Sequence, residues 1–306
     1  MTDLTEFQEK IKDLLPNVEL RLWEPMAKHT SFRIGGGAEV MAFPKSEEEL
    51  AEILKVSALL DCSSAILGAG TNVLAPDTEL RGLVICLKDC LDGIRLLPGN
   101  RLQVMAGVTM SRAAMFAARH GLSGMEFAHG IPGTVGGGIY MNAGAYGGEI
   151  CQICRRVEVM DYRGNRRWLT GEEMQFSYRH SILEESGEVA VCGEFTLTPA
   201  QPEAIQSKMK ELIGKRTASQ PLDVPSAGSA FKRPAGGYAA ALIEQAGLKG
   251  FRVGGAAISE KHAGFAVNLG GATARDVKTL LQTVSDRVFE SSGIRLEPEI
   301  RIWPEK

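Results

Sequence analysis

Between Gly130 and Glu149 the chain reads GIPGTVGGGIYMNAGAYGGE, eight glycines in twenty residues with a single charged side chain. Such a segment has too little side chain to bury a core of its own, and glycine loses the most freedom on ordering. It must rest against other parts of the chain or against a ligand. Further glycines gather at Gly35-Gly36-Gly37 and Gly68-Ala69-Gly70, within a total of 35 in 306 residues. Glycine admits positive φ and lets main-chain N–H groups approach an anion without a Cβ in the way. The clusters therefore read either as a phosphate cradle or as tight turns between strands. Neither G-x-G-x-x-G nor G-x-x-x-x-G-K-[ST] occurs, which disfavours a Rossmann dinucleotide site and a P-loop.

Composition narrows the class. With 44% hydrophobic and 23% charged residues, the chain is expected to be globular, with two or three cores. A net charge of -3 and a pI near 6.0 give no bulk field for nucleic acid or an anionic membrane, so an anionic ligand must be held locally. The amino-terminal MTDLTEFQEKIKDLLP is acidic and amphipathic, and no window of about eighteen residues is uninterruptedly apolar, so a cytoplasmic protein without a membrane partner is expected. Without a secretion signal, Cys62, Cys86, Cys90, Cys151, Cys154 and Cys192 read as reduced structural thiols. Cys151-x-x-Cys154 lacks the second pair a metal site would want, and the histidines show no H-E-x-x-H spacing, so no metal is expected.

Helical spacing over residues 3 to 15, ended by Pro16, predicts a surface helix. From residue 38 the pattern predicts a strand (AEVMAFP), a helix opened by the capping box Ser46-x-x-Glu49, and strands in SAILGAG and GLVICL. GIRLLPG and RLQVMAG share a Pro-Gly-Asn turn and predict a hairpin, followed by a helix from about Ser111 to His120. RRVEVMDYRGNRRWLT, turning at Arg163-Gly164-Asn165, and EVAVCGEFTLTP predict further strands of a mixed sheet. A helix over about 202 to 216 then leads into SQPLDVPSAGS, which its Pro, Ser and Gly content marks as a linker. After it come a helix over about 237 to 246, strands in FRVGGAAIS and AGFAVNLGG, a long helix capped at Thr273-x-x-Asp276, and a last strand, PEIRIW.

HTSFRIGGGAEV, LGAGTNVLAPD and the Gly130–Glu149 segment, in that order, resemble the FAD-binding region of the UDP-N-acetylenolpyruvoylglucosamine reductase (MurB) family, within the wider vanillyl-alcohol-oxidase type of FAD domain. The resemblance continues through FSYRHSIL, PSAGSAFKRPAGGYAAALIEQAGLKG, SEKHAGFAVN and LEPEIRI, covering about residues 28 to 303, and GSAFKRP looks like the shorter type of the family, without an extra substrate-covering loop. It implies an α+β chain in three parts. FAD-binding subdomains span residues 1–97, with the amino-terminal helix, and 98–215; an α/β substrate-binding domain spans 216–306, its last strand (298–304) returning to the FAD region.

The resemblance also implies a reaction in two halves. NADPH reduces a non-covalent FAD, and the reduced flavin then passes hydride to the vinyl group of UDP-N-acetylglucosamine enolpyruvate, giving UDP-N-acetylmuramate. Charge left on the neighbouring carbon must be stabilised and then protonated. Arg179 in Ser-Tyr-Arg-His matches the family's active-site arginine, Ser229 in Ala-Gly-Ser-Ala-Phe-Lys its proton-donating serine, and Glu299 rather than Glu297 its catalytic glutamate. FAD is expected on Leu67, Gly68, Ala69, Gly70, Thr71, Asn72 and Val73, on Ile131, Pro132, Gly133 and Thr134, near Asn142, Ala143 and Gly144, and at Arg216. Tyr178, Lys232, Arg233 and His262 fall where the family contacts substrate, although Arg233 and His262 stand where some members carry amides. A monomer is expected. Two other readings stay open on the glycine loops alone: a different flavin oxidoreductase or oxidase on the same FAD domain, and a non-catalytic nucleotide-sugar-binding protein.

Overall fold

Along the strand Cys154–Met160, Val157 and Val159 are buried in a core while the alternate residues Arg156 and Glu158 lie on the other, partly exposed face, and this period of two fixes which face of the sheet is covered. The computed structural model describes residues 5–304 and divides into two units. Unit one takes the chain up to Leu22, Glu39–Ala69 and Arg81–Gly214; unit two takes Trp23–Ala38, Gly70–Leu80 and the chain from Lys215 onward.

Unit one holds an antiparallel five-stranded sheet in the order Arg166–Thr170, Cys154–Met160, Val189–Thr196, Arg101–Met105, Ile94–Leu97. The hairpin between the last two turns where Gly99 and Asn100 both adopt positive φ, 77° and 57°. Helix Met110–Arg119, capped by Thr109, buries Met110, Ala113, Ala114, Ala117 and Ala118, a stripe at helical spacing. A second sheet runs Glu19–Pro25, Gly37–Phe43, Leu80–Cys86, Ser64–Leu67, its last two strands parallel. Helix Glu47–Leu59 contributes Leu50, Ile53 and Leu54 to a core with Val40, Leu83 and Ile85.

Unit two is built on the antiparallel sheet Ser226–Ser229, Phe265–Asn268, Ala256–Ile258, Arg252–Val253. Helix Ala274–Ser292 lays Val277, Leu280, Leu281, Val284 and Val288 into its core. The Thr273 and Asp276 box caps that helix as expected, and Asp77 adds a second cap by accepting from the N–H groups of Ala274 (2.6 Å) and Arg275 (3.0 Å).

Three local expectations change. The Ser46 side chain does accept from the Glu49 N–H, but the Glu49 carboxylate accepts from the Lys45 N–H (2.7 Å), so only half of that capping box forms. The end of the expected linker is a strand: Ala227 is buried, and Gly228, at φ 77°, absorbs the register shift between Ser226 and Ser229. The last strand is short, Arg301–Ile302, paired in parallel with Val73–Leu74, while Pro298, which lacks an N–H, makes an isolated bridge to Phe231. The leading helix spans Glu6–Leu14; positions 3 and 4 of the expected range lie outside the described residues. No helix among the described residues is long and apolar enough to cross a membrane.

Candidate active site

In unit one, strand Ser64–Leu67 ends where the Leu67 carbonyl accepts from the Leu87 N–H (2.8 Å), and the chain turns into Gly68 and Ala69. A Cβ on Gly68 would stand 2.5 Å from Thr134 Oγ1, so the two expected cofactor loops touch there. Thr134 caps the short helix Val135–Tyr140 by accepting from the Gly137 N–H (3.3 Å). The Gly133 carbonyl accepts from the Met110 N–H (3.0 Å), and the Val135 N–H donates to Val108 (2.8 Å). Among the described residues, the main-chain N–H groups of Gly68, Ala69, Gly133 and Thr134 have no protein acceptor. Open donors beside a glycine that admits no side chain suit a diphosphate.

The densest glycine run serves packing as well. A Cβ on Gly136 would lie 2.9 Å from the Ala106 Cβ, and one on Gly138 2.8 Å from Met110 Sδ. Neither a cradle nor a turn describes those two positions: they let the helix lie close against its neighbours.

Arg179 sits in the left-handed region at φ 59°, inside a tight hairpin in which Ser177 and His180 exchange main-chain hydrogen bonds. Its Nη2 donates to the Gly144 carbonyl (3.3 Å), and its guanidinium lies 4.8 Å from the ring centre of the exposed Tyr178. Ser181 Oγ donates to the Tyr140 carbonyl (2.9 Å). Asn142 lies in the same neighbourhood and is 1% exposed.

Unit two carries Gly70, Thr71, Asn72 and Val73. Gly70 has φ 61°, and a Cβ there would be 2.0 Å from the His29 carbonyl oxygen, so no other residue fits. The Glu299 N–H donates to the Ala230 carbonyl (2.9 Å), and the Lys232 N–H donates to Glu297 (2.9 Å). This short ladder lays the segment following Ser229 alongside Glu297–Glu299. Ser229 itself is exposed and pairs with Phe265 on its other side.

The two neighbouring acids differ in setting. Glu297 is exposed and lies 3.5 Å from Lys232 Nζ, whereas Glu299 is half-buried. Arg233 stacks over Tyr238 at 4.4 Å. Arg216 is half-buried near the end of helix Pro202–Ser219. His262 Nδ1 accepts from the Gly264 N–H (3.1 Å), so its proton belongs on Nε2; burial holds its pKa below the usual histidine value, favouring the neutral ring.

The structure thus gathers Ser229, Glu299 and Asn72 in one unit, and Arg179, Tyr178 and Asn142–Gly144 in the other. The model of the UDP-N-acetylenolpyruvoylglucosamine reductase C-terminal domain matches residues 220–303, and an FAD-binding-domain model matches residues 38–170. A UDP-N-acetylenolpyruvoylglucosamine reductase of Caldanaerobacter subterraneus subsp. tengcongensis is 46% identical over 97% of this chain and 98% of its own length. The chain belongs to the UDP-N-acetylenolpyruvoylglucosamine reductase family.

A reductase of that name from Streptococcus pneumoniae (strain 70585) is 41% identical over 97% of this chain and 98% of its own. The crystal structure of the family's enzyme from Thermus caldophilus superposes with a TM-score of 0.77 at 35% identity, covering 94% of this chain and 99% of that one. As a member of this family with an FAD-binding domain, the chain is a flavin-dependent oxidoreductase. The open N–H donors around Gly68 and Thr134 fit the diphosphate of such a cofactor.

The cysteines are free thiols. Burial pushes Cys154 and Cys192 up to about 12 and Cys90 up to about 11, and raises Cys151 as well, so none of these four favours the thiolate at neutral pH. Sequence reasoning missed the tether from Asn72 to Glu299 and the internal role of Asn142; both depend on backbone paths that no motif spacing reveals.

Proposed function

We propose that this enzyme reduces UDP-N-acetylglucosamine enolpyruvate to UDP-N-acetylmuramate with NADPH as reductant, supplying a precursor of peptidoglycan, and that it works as a cytoplasmic monomer. The observation that carries the reading is the ladder from Ala230 to Glu299, which sets the expected proton donor's strand beside the expected catalytic glutamate. Bound FAD, on Leu67–Val73 and Ile131–Thr134 with the Asn142–Gly144 segment nearby and Arg216 as a further contact, would supply the two-electron relay between NADPH and the enolpyruvyl double bond.

The protein's share is charge and proton. The Arg179 fork matches a carboxylate or a developing enolate, and its backbone is fixed by the Ser177–His180 hairpin before substrate arrives. Ser229 Oγ–H delivers the proton to carbon. A serine hydroxyl is a very weak acid, so it needs a neighbour that refills its proton; Glu299, in its protonated form, would hand its own proton to the serine oxygen as that oxygen gives one to carbon. Lys232 and Arg233 give the diphosphate local positive charge, with Tyr178 and His262 as further substrate contacts. Glu297, exposed and close to Lys232, has no part in the chemistry.

Purified enzyme is expected to carry flavin and to oxidise NADPH beyond the one equivalent that reduces its flavin only when UDP-N-acetylglucosamine enolpyruvate is present. NADPH oxidation that depends on oxygen instead of that substrate would overturn the proposal.

A further inference from the structure

We infer that Asn142 is a positioning residue for Arg179, a role that rests on the function proposed above. Every hydrogen-bonding group of its side chain is engaged within the protein. Nδ2 donates to Glu149 Oε2 (3.0 Å) and to the Ser177 carbonyl (3.0 Å), and Oδ1 accepts from the Cys151 N–H (2.9 Å). Two donors and one acceptor on a residue 1% exposed leave the amide one spare lone pair and no proton for a ligand. What Asn142 does with that amide is hold the Ser177 carbonyl, two residues before Arg179.

That grip matters because Arg179 is held in an unfavourable backbone state. A non-glycine residue at φ 59° is in a sparsely populated backbone state, which persists only where its surroundings over-determine it. The surroundings here are the Ser177–His180 pair, the Asn142 amide on Ser177, Ser181 Oγ on Tyr140, and the Gly144 carbonyl on the guanidinium itself. Asn142 is also in the left-handed region, at φ 40°, which asparagine tolerates better than most residues. Glu149 and the Cys151 N–H anchor the amide from the far side. The glycine-rich loop therefore reaches through one buried amide to the hairpin that aims Arg179.

Two variants test this. Asn142→Asp keeps the shape and the acceptor for the Cys151 N–H but removes both donors; Asn142→Gly keeps the positive φ without the amide. In flavin-loaded enzyme, reoxidation of NADPH-reduced flavin by the enolpyruvyl substrate is expected to slow about 10- to 100-fold in each, the scale that a misplacement of about 1 Å produces. Combined with Arg179→Ala, either variant should add no further loss, and amide hydrogen exchange across residues 176–181 should accelerate in the Asn142 variants. Losses that multiply with Arg179→Ala, or unchanged reoxidation in Asn142→Asp, would overturn the positioning role. Wild-type enzyme that is not reoxidised by the substrate would overturn the function itself, a distinguishable failure.

Discussion

The carboxamide of Asn72 donates to the main-chain carbonyl of Glu299, 3.1 Å away, across a sequence separation of 227 residues. The Arg301 N–H returns a bond to the Asn72 carbonyl (2.9 Å), and the Glu299 N–H is taken by Ala230. An expected cofactor loop and the expected catalytic acid are thus parts of one hydrogen-bonded unit. Asn72→Asp turns the donor into an acceptor facing a carbonyl, and is expected to cost about 1 kcal/mol in denaturant unfolding. Substrate-dependent turnover should fall about tenfold, because a misdirected catalytic group loses transition-state stabilisation. Unchanged turnover would separate Glu299 from this tether.

Gly68 has room for no side chain. Gly68→Ala would drive a methyl to 2.5 Å from Thr134 Oγ1, in the loop that carries the open N–H donors. The variant is expected to purify with much less flavin than wild type, read as the ratio of flavin to protein absorbance. Gly214→Ala is the control: nothing lies within 4 Å of that Cβ in helix Pro202–Ser219, so flavin content should hold. Helix propensity should add up to about 1 kcal/mol of stability there.

Glu194, with no side-chain exposure, is held by Arg101 (2.8 Å), Arg156 (2.9 Å) and Arg155 (3.4 Å). Burial alone would raise its pKa, but the hydrogen bonds from Arg101 and Arg156 outweigh it and hold the carboxylate below its usual range. A depressed folded-state value stabilises the fold above the unfolded carboxylate pKa, and that contribution disappears as pH falls through the folded value. Wild-type stability should therefore decline on acidification below the ordinary glutamate range. Glu194→Gln should flatten that decline and lower stability at pH 7 by about 1.5 kcal/mol, the scale of a charge-assisted hydrogen bond, since the arginines it leaves behind keep contact with solvent. Parallel pH profiles for the two proteins would exclude the cluster as its source.

His262 offers Nε2–H from a neutral ring, because Gly264 occupies Nδ1 and burial depresses its pKa. An amide can present a similar donor, so His262→Gln should retain a KM for the nucleotide-sugar substrate near the wild-type value. His262→Ala should raise it about tenfold, the loss of one hydrogen bond of about 1.4 kcal/mol. The wild-type KM should stay flat upward from pH 6.5, since the charged form appears only below the depressed pKa. A KM that climbs steadily between pH 6.5 and 8 would show that the imidazolium is the binding form.

The parts of this fold legible in the sequence are those governed by local rules. Thr273 caps a helix, Gly99 and Asn100 turn a hairpin, and Val277 through Val288 mark a buried helical stripe, whereas the short helix Val135–Tyr140 and its Thr134 cap lie in a glycine run that reads locally as loop. Ser226–Ser229 was illegible as a strand because its partner, Phe265–Asn268, supplies the reason to be extended, and serine and glycine at its ends read locally as linker. Site residues were legible only through the family motifs: an exposed serine and a half-buried glutamate have no spacing that marks them as partners. The ladder from Ala230 to Glu299 and the Asn142 amide on Ser177 arise from tertiary paths, so only coordinates reveal them.

The proton-donor role of Ser229 is tested most directly by anaerobic single-turnover spectroscopy of the flavin, in wild type and in Ser229→Ala. The account expects NADPH to reduce the flavin at closely similar rates in both proteins, while UDP-N-acetylglucosamine enolpyruvate reoxidises it far more slowly in the variant, by a factor of about 100 or more. Equal slowing of both halves, or reoxidation by substrate at the wild-type rate in Ser229→Ala, would contradict it.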